Sequence, residues 1–595
     1  MLPILRSKNA EQIMTITNFA GLNSSYSQKV NELSEGVNLS SELYPALSCA
    51  KLPEADKLLE NKALGGGYFN SLYTLEYSGD ESGKIYLCTD NSKTEISSFS
   101  SIEEISKERR MAFMKKEILV IPDNIIYHTN TNTVEKGCVS ESISSESAQK
   151  KFEEQSGTND KMPMPYNTWY SAYLTGNSIV AMNASYRVSS SSYKYYHFAL
   201  SDEFKVGDVI TLKLSVKPID ASQDDNYRNY RKKMSEGISV KIKDLVKTSH
   251  SIPNGTIAEY TEVIFEDNAI DMGGYNEVFV LNATIEKGIP NFVDICTFEN
   301  RMWGVTADKI HASKLGDSSE WNDFSIDSYG TLPSSCFATE VESDGEFTAI
   351  IPYNGNILAF KENCIHKIYG NEPEEYTVTR HNLPGVCKGG KDTLANVGGV
   401  LYYMGTKGVY AYSGSQPRLI SDNVIKSGSM AAHAGGDERF YYIETVYDGN
   451  RNIFVYDTWH RIWHKIAYGE AIIKFVLTPE GMCAVTEKAV IKLNRVVADN
   501  WSFELCFGTK EFSSKHVCGV AARYTLKAGG EMKIYLHNRN SKKLVAVAAD
   551  GRENGTVSMR IPVSCDRDFR LEFKGGGYFE IGSLEVRYRE TGIYD

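Results

Sequence analysis

The strongest restriction on the fold comes from a hairpin pattern that recurs along the chain. Each copy has two short strands of alternating apolar and polar residues, joined by a turn rich in Gly, Asn or Asp; this pattern is typical of β-hairpins. One hairpin cannot bury its own faces, whereas a ring of them can, and repetition at about 30–55 residues is typical of propeller blades. The copies are Ser71–Leu87, Glu117–Tyr127, Asn300–Ser313, Asn354–Tyr369, Gly398–Tyr412, Asn452–Trp463 and Gly481–Leu493.

The pattern predicts an all-β protein built around a six- or seven-bladed β-propeller. A large β-sandwich with similar hairpins is the alternative, because the spacing of the copies is irregular. The chain has 595 residues, and a single core stops growing at about 250–300 residues, so several domains are expected. We place propeller blades at 1–136 and 291–498, an inserted β-domain at 137–290 and a C-terminal β-sandwich at 499–595.

The hairpin rhythm stops within the predicted insertion. This stretch opens with a polar run, Ser140–Ser147, which is predicted to be a mobile loop. The charged run Asp224–Lys233 is predicted to be an exposed loop or a short helix. Alternating strands are predicted at Phe204–Val216, Ile238–Ile242, Ala258–Phe265 and Glu277–Ala283.

A further change of pattern follows Asn500. Short alternating strands separated by turns favour a β-sandwich. The predicted strands are Val517–Tyr524, Glu531–His537, Leu544–Ala549, Asp568–Phe573 and Tyr578–Tyr588.

The net charge of −12 argues against general attraction to nucleic-acid phosphates. An acidic wall would instead repel passing DNA and prevent sticking. The eleven cysteines are odd in number and contain no C-x-x-C pair, which favours reduced thiols over disulfides or a zinc site. No signal peptide and no membrane span is recognised, so we expect a soluble protein made in a cytoplasm.

Two patterns that suggest ligand sites are better explained structurally. Gly385–Lys391 fits G-x-x-x-x-G-K, but Asp392 follows where a phosphate loop needs Ser or Thr. His460 and His464 are four residues apart in a predicted strand, where that spacing is about 13 Å and too long for one metal ion.

No catalytic, cofactor-binding or metal-ligating residue is predicted, and the protein is expected not to be an enzyme. The sequence contains no G-x-S-x-G, H-E-x-x-H or EF-hand motif. A propeller glycosidase is the enzymatic alternative, since the acidic residues are numerous and the sequence does not place a carboxylate pair.

The segment 298–324 carries the pattern F-x-N-R-M-W-G, then S-x-L-G-D, then W-x-x-F. It resembles the packaged-DNA stabilisation, or tail-nozzle, family of tailed bacteriophages. Phe19–Asn23, Asn38–Pro45 and Lys407–Gly414 resemble other parts of that family. The matching residues, interpreted as blade architecture, are Phe298, Asn300, Arg301, Trp303, Gly304, Ser313, Leu315, Gly316, Asp317, Trp321 and Phe324.

The resemblance implies a structural protein of the virion tail, made in the cytoplasm of the host bacterium. It implies a homo-oligomeric ring, expected to be a hexamer, which contacts the portal, the adaptor and other tail proteins. Duplex DNA would pass through its channel without specific binding, and tail fibres or the host surface are further possible contacts. The alternative function is a receptor- or glycan-binding tail module, because the terminal sandwich and abundant Tyr would allow stacking on sugars.

Overall fold

Antiparallel β-strands form nearly all of the secondary structure in the computed structural model, which confirms the all-β class. The structure describes residues 11–25, 27–144, 170–174, 178–189, 192–197, 204–218, 225–251, 257–266, 269–271, 278–327, 330–425, 430–509, 512, 515–527, 529–538, 541–549, 557–566 and 569–590. The chain divides into two compact units. Unit 1 is Met1–Arg109, Phe360–His366 and Arg380–Asp595, and unit 2 is Arg110–Ala359 and Lys367–Thr379.

The first strands of unit 1 pair with strands from the far end of the chain. Residues 12–16 pair with 584–588, and residues 33–37 pair with 502–505. The strands within residues 12–49 therefore join the two C-terminal sheets, although the sequence analysis placed them in the same region, 1–136, as the first two hairpins. These strands are β1 (Gln12–Ile16), β2 (Leu33–Val37), β3 (Leu39–Ser40), β4 (Leu47–Cys49) and β5 (Lys51–Leu58).

Two four-stranded sheets follow, sheet A in unit 1 and sheet B in unit 2. Each is formed by consecutive antiparallel strands. A one-turn helix, α1 (Ile102–Ile105), lies between them in the sequence. Sheet A contains β6 (Lys62–Phe69), β7 (Ser71–Ser78), β8 (Gly83–Cys88) and β9 (Lys93–Phe99); sheet B contains β10 (Arg110–Met114), β11 (Glu117–Ile121), β12 (Ile125–His128) and β13 (Thr133–Lys136).

The inserted domain of unit 2 is a closed ring of strand pairings around its own core. Its elements are β14 (Cys138–Ser144), β15 (Tyr170–Leu174), β16 (Ser178–Ser189), β17 (Ser192–His197), β18 (Val209–Pro218), α2 (Asp225–Glu236), β19 (Ile238–Ser251), β20 (Ile257–Phe265) and β21 (Val278–Gly288). The pairing order β21-β15-β16-β20-β19-β18 returns to β21. Tyr230 and Met234 of α2 are buried in the core of this domain.

The structure confirms the predicted strands of the insertion and resolves the charged run into α2. Ser140–Ser144 forms the end of β14 and is not a loop, because it pairs with residues 282–286 of β21. The rest of the predicted mobile loop lies outside the described residues.

Two more four-stranded sheets follow the insertion. Sheet C contains β22 (Asp294–Phe298), β23 (Arg301–Val305), β24 (Lys309–Ala312) and β27 (Phe337–Glu340), with a small hairpin of β25 (Ile326–Asp327) and β26 (Gly330–Thr331) before its last strand. Sheet D contains β28 (Ala349–Tyr353), β29 (Asn356–Phe360), β30 (Ile365–Tyr369) and β31 (Thr377–His381).

Three further sheets belong to unit 1. Sheet E contains β32 (Ala395–Val397), β33 (Val400–Gly405), β34 (Gly408–Tyr412) and β35 (Arg418–Leu419). Sheet F contains β36 (Met430–Gly436), β37 (Phe440–Tyr447), β38 (Asn450–Asp457) and β39 (Ile462–Ala467). Sheet G contains β40 (Ile472–Thr478), β41 (Gly481–Thr486) and β42 (Ala489–Val497), and β5 supplies its fourth strand.

Each of the seven predicted hairpins lies in a different four-stranded sheet. The turn between β32 and β33 shows why the sequence folds this way. Gly398 and Gly399 have φ of 59° and 81°, and a two-residue hairpin turn of this kind needs positive φ at both positions. The strand that follows is apolar on both faces and buried, with Leu401, Tyr402 and Tyr403 in succession.

The C-terminal strands form two sheets around one large core in unit 1. A seven-stranded sheet contains β3-β4-β50-β44-β47 with β1 and β48 at its sides, and a five-stranded sheet has the order β2-β43-β49-β45-β46. The strands are β43 (Trp501–Cys506), β44 (Lys515–Leu526), β45 (Glu531–Asn538), β46 (Ser541–Ala549), β47 (Val557–Ile561), β48 (Cys565–Asp566), β49 (Arg570–Gly576) and β50 (Phe579–Glu590).

Buried carboxylates connect successive four-stranded sheets inside each unit. In unit 2, Asp294 of sheet C accepts bonds from Arg110 Nε of sheet B at 2.5 Å and from the Ile350 amide of sheet D at 2.9 Å. In unit 1, Glu444 of sheet F accepts a bond from the Ile472 amide of sheet G at 3.2 Å. Because a buried charge is costly unless it is paired, these contacts fix the packing of each sheet on the next.

Candidate functional site

A tight turn begins the signature segment (residues 298–324) of unit 2. Glu299 and Asn300 have φ of 47° and 61° and join β22 to β23; Asn is one of the few residues that adopt this conformation readily. The turn places Arg301 at the start of β23, where it is buried.

The guanidinium of Arg301 holds three parts of the following loop together. It donates to the carbonyl oxygens of Ser313 and Ser335, both at 2.7 Å, and to that of Pro333. Carbonyl oxygens in a loop have no strand partner, and a buried one needs a donor. Ser313 and Ser335 are buried, and Arg301 is the donor that satisfies their carbonyl oxygens.

The S-x-L-G-D part of the pattern forms the turn after β24. Ser313 Oγ accepts the Met302 amide at 3.1 Å. Gly316 has φ of 79°, and Asp317 Oδ1 accepts the amides of Ser319 and Glu320 at 2.9 and 3.2 Å, as Asp does in many turns. Leu315 is exposed.

The aromatic residues of the segment fill the space between sheets. Trp303 is buried and packs edge-on against Tyr376, with 5.1 Å between ring centroids. Phe298 packs, partly buried, against the same core. Trp321 is buried against Phe292 at 4.6 Å, and its indole N–H donates to the Ser318 carbonyl at 2.9 Å.

Gly304 lies where an added side chain would meet Phe292. A Cβ at this position would be 2.5 Å from the Phe292 ring, which is itself buried in the core. We expect Gly304→Ala to lower the free energy of unfolding by about 1–3 kcal/mol, the usual cost of overpacking. Chemical denaturation would measure this. Gly582→Ala is the control, because Gly582 also lies in a strand but has open space around it; equal effects at both positions would contradict the prediction.

The end of the signature segment forms hydrogen bonds with the inserted domain. The Val209 amide donates to the Asn322 carbonyl at 2.9 Å, and the Phe324 amide donates to the Gly207 carbonyl at 3.3 Å. Asn322 Nδ2 donates to the Gly288 carbonyl at 3.0 Å. The eleven matched residues therefore lie in one continuous piece of structure that joins sheet C to the insertion.

A cleft of about 690 Å³ lies between the inserted domain and sheet C, within unit 2. This cleft could not be predicted from the sequence, because its walls come from segments far apart in the chain. Apolar side chains on the wall include Trp321 and Phe324 of the signature segment, and polar ones include Lys241, Lys309 and His311. This volume is within the range of small-molecule sites, which often lie between domains.

The lysines of this cleft differ in how firmly they are held. Lys287 is 3.1 Å from Asp208 and 3.5 Å from Glu320; burial opposes its charge, but the two carboxylates outweigh burial and raise its pKa. Lys241 and Lys309 lie 3.7 and 3.8 Å from Glu266 and Glu340, beyond hydrogen-bond distance. These two ammonium groups can therefore accept a new partner at small cost.

His311 adds a neutral ring to the same wall. Burial, with a smaller contribution from the charge of Lys309, lowers its pKa to about 4. Among the described residues, none forms a hydrogen bond with its Nε2. The imidazole is therefore uncharged near neutral pH.

The two patterns resembling ligand sites have structural roles in unit 1. Lys391–Thr393 is a single 3-10 turn, and Asp392 forms an ion pair with Lys474, so this loop lacks the strand-to-helix geometry of a phosphate loop. His464 lies buried in β39. The prediction is wrong for His460, which lies in the turn before β39, because the strand begins only at Ile462.

A buried carboxylate organises that turn. Asp457 is fully buried and accepts bonds from Ser41 Oγ at 2.7 Å and Arg439 Nη2 at 2.6 Å. His460 Nδ1 is 3.0 Å away, and the Trp459 amide donates to the same carboxylate at 3.0 Å. Burial alone would raise the pKa of Asp457, but these partners, Arg439 foremost, hold it well below its usual range.

Among the described residues, no group of three or more His, Cys, Asp or Glu side chains is arranged to hold a metal ion. All eleven cysteines lie within the described residues and are free thiols. No described helix is both long and apolar enough to span a membrane.

No family model and no curated protein matches the sequence. Solved structures with some similarity include an acylaminoacyl peptidase from Pyrococcus horikoshii, with 10% identity, 76% of this chain and 58% of that chain covered, and a TM-score of 0.28. The β-propeller domain of the Trilobed protease from Pyrococcus furiosus has 12% identity, coverage of 56% and 99%, and a TM-score of 0.24. An exo-β-1,3-galactanase from Phanerochaete chrysosporium has 8% identity, coverage of 89% and 99%, and a TM-score of 0.20. Such low values indicate neither a family nor an activity for this chain.

Proposed function

We propose that this protein is a non-enzymatic structural component of a tailed-phage virion. In this proposal its copies form a ring in the tail that extends the portal channel, helps to retain packaged DNA and guides its ejection. The observation that carries the proposal is the signature segment. Several of the residues that resemble the tail-nozzle family contact one another: Arg301 donates to the Ser313 carbonyl, and the Gly316 amide donates to the Asn300 carbonyl.

The finer architecture proposed is a seven-bladed propeller with sheets A to G as blades. Each of these sheets has four antiparallel strands, the usual size of a blade. Pairing of β5 with β42 joins an early strand to the last sheet, a closure that a ring of blades would need. The inserted domain and the two C-terminal sheets are proposed to be the parts that contact neighbouring tail proteins.

The net charge of −12 supports a channel that duplex DNA passes without binding. Like charges repel the phosphate backbone, and this repulsion keeps a moving duplex from adhering to a wall. The proposed partners are further copies of this chain in a hexameric ring, the portal and adaptor, and other tail proteins.

Electron microscopy of intact virions from the source phage tests this proposal. We expect copies of this chain to form a ring on the tail axis, enclosing a channel wide enough for duplex DNA. Copies found only at the tail periphery would overturn the proposal and favour the alternative of a receptor- or glycan-binding module. The cleft beside the signature segment is the feature that favours that alternative.

A further inference from the structure

We propose that the cleft between the inserted domain and sheet C binds an acidic saccharide, with Lys241 and Lys309 holding its carboxylate. This inference goes beyond the proposed ring function, because that function assigns no small-molecule ligand to the cleft.

The two lysines are the loosely paired cations of the cleft. Their carboxylate neighbours, Glu266 and Glu340, are 60% and 65% exposed at the side chain and lie beyond hydrogen-bond distance. Water solvates such exposed carboxylates well. Moving the lysine from its carboxylate to a ligand therefore costs little free energy. A ligand carboxylate could approach either ammonium to about 2.7–2.9 Å, which gives a stronger, charge-assisted bond.

The remaining wall suits the body of a sugar. Phe324, which is half-buried, provides apolar surface that the C–H face of a sugar ring can cover, with the buried Trp321 behind it. Thr211, Ser239 and Asn322 also line the cleft, and their hydroxyl and amide groups can bond to sugar hydroxyls. Pockets that combine an apolar wall with a few polar groups are the usual sites for small ligands.

The charges of the cleft favour a carboxylate over a polyphosphate. Glu266 and Glu286 also line the cleft, and Lys287 is already held by Asp208 and Glu320. Two loosely paired lysines can balance one negative charge, whereas a polyphosphate would face uncompensated repulsion from the acids.

Calorimetric titration of the full-length protein with trigalacturonate, a hyaluronan tetrasaccharide and sialyllactose tests the inference. We expect saturable binding of at least one of these acidic saccharides. The methyl ester of a saccharide that binds keeps the sugar body but removes the negative charge. We expect this ester to bind at least about tenfold more weakly than the free acid.

Variants identify the site. Lys241→Gln and Lys309→Gln are each expected to weaken binding by about tenfold, with unchanged thermal unfolding. Lys232→Gln is the matched control, because Lys232 is also in the inserted domain and also lies 3.7 Å from an acid, Glu236, but does not line the cleft; its binding should equal that of the wild type.

Three results would overturn the inference: no binding by any of the three saccharides, equal binding of acid and methyl ester, or unchanged binding in the Lys241→Gln/Lys309→Gln double variant. Electron microscopy separates this inference from the proposed function. A tail ring whose purified protein binds no acidic saccharide overturns the cleft inference alone, whereas peripheral copies that bind one overturn only the ring.

Discussion

Arg301→Met is expected to lower the free energy of unfolding of unit 2 by about 3–5 kcal/mol. Methionine fills much of the same volume but donates no hydrogen bond, so the carbonyl oxygens of Ser313, Ser335 and Pro333 lose a buried donor at once. A bond to a charged group contributes about 1.5–3 kcal/mol, and an unsatisfied buried acceptor adds its desolvation cost.

Hydrogen exchange across the loop 313–336, combined with chemical denaturation, would measure this effect. The free energy of unfolding of Arg301→Lys should lie between those of the wild type and Arg301→Met. An ammonium group keeps the charge but cannot donate to three carbonyl oxygens as a planar guanidinium does. Arg495→Met is the control, since Arg495 is exposed. If Arg301→Met had the stability and the hydrogen exchange of the wild type, the bonds from Arg301 to the three carbonyl oxygens would not stabilise the loop.

Asp457→Ala is expected to destabilise unit 1 by a similar amount, about 3–5 kcal/mol. The substitution leaves Arg439 without the carboxylate that it contacts at 2.6 Å, and it removes the acceptor for Ser41 and for the Trp459 amide. Removing the buried partner of this ion pair is costly because Arg439, which is itself only 17% exposed at the side chain, loses the charge that compensates its own.

The same carboxylate predicts an acid dependence. Its pKa is lowered in the folded protein, so its contribution is fully present above its unfolded pKa of about 3.9 and is lost as the pH falls toward the folded value. As the pH is lowered below about 4, the melting temperature of the wild type should therefore decrease. The Asp457→Asn variant should show a smaller decrease over the same pH range.

Melting curves from pH 2 to 7 would measure this dependence. The control is Asp448→Asn, an exposed turn residue of the same sheet at a positive φ that Asn tolerates. Identical pH profiles for the wild type and Asp457→Asn would contradict the assignment.

The parts of the fold that could be predicted from the sequence are those with local causes. A turn such as Gly398–Gly399 and the apolar strand after it are encoded within a few residues. The seven hairpins could therefore be located, each in its own sheet. The change of pattern within 137–290 likewise pointed to the strands of the inserted domain, because alternation has a period of two wherever a strand has one buried face.

The candidate site could be predicted only in part. The signature residues were expected to serve the blades, and Trp303 and Trp321 lie buried between sheets. The three acceptors of Arg301 and the contact between Asn322 and the insertion could not be predicted. Nothing in the local sequence around Lys241 or Lys309 indicates that they share a cleft.

The sequence by itself therefore determined the strand class, the hairpins and the net acidity of the protein. Tertiary structure alone decided which distant strands pair, as β5 does with β42 and β1 with β50, and which side chains meet in the cleft. The physical reason is that turns and alternation depend on neighbouring residues, whereas pairing between distant strands depends on the total burial gained across the whole core.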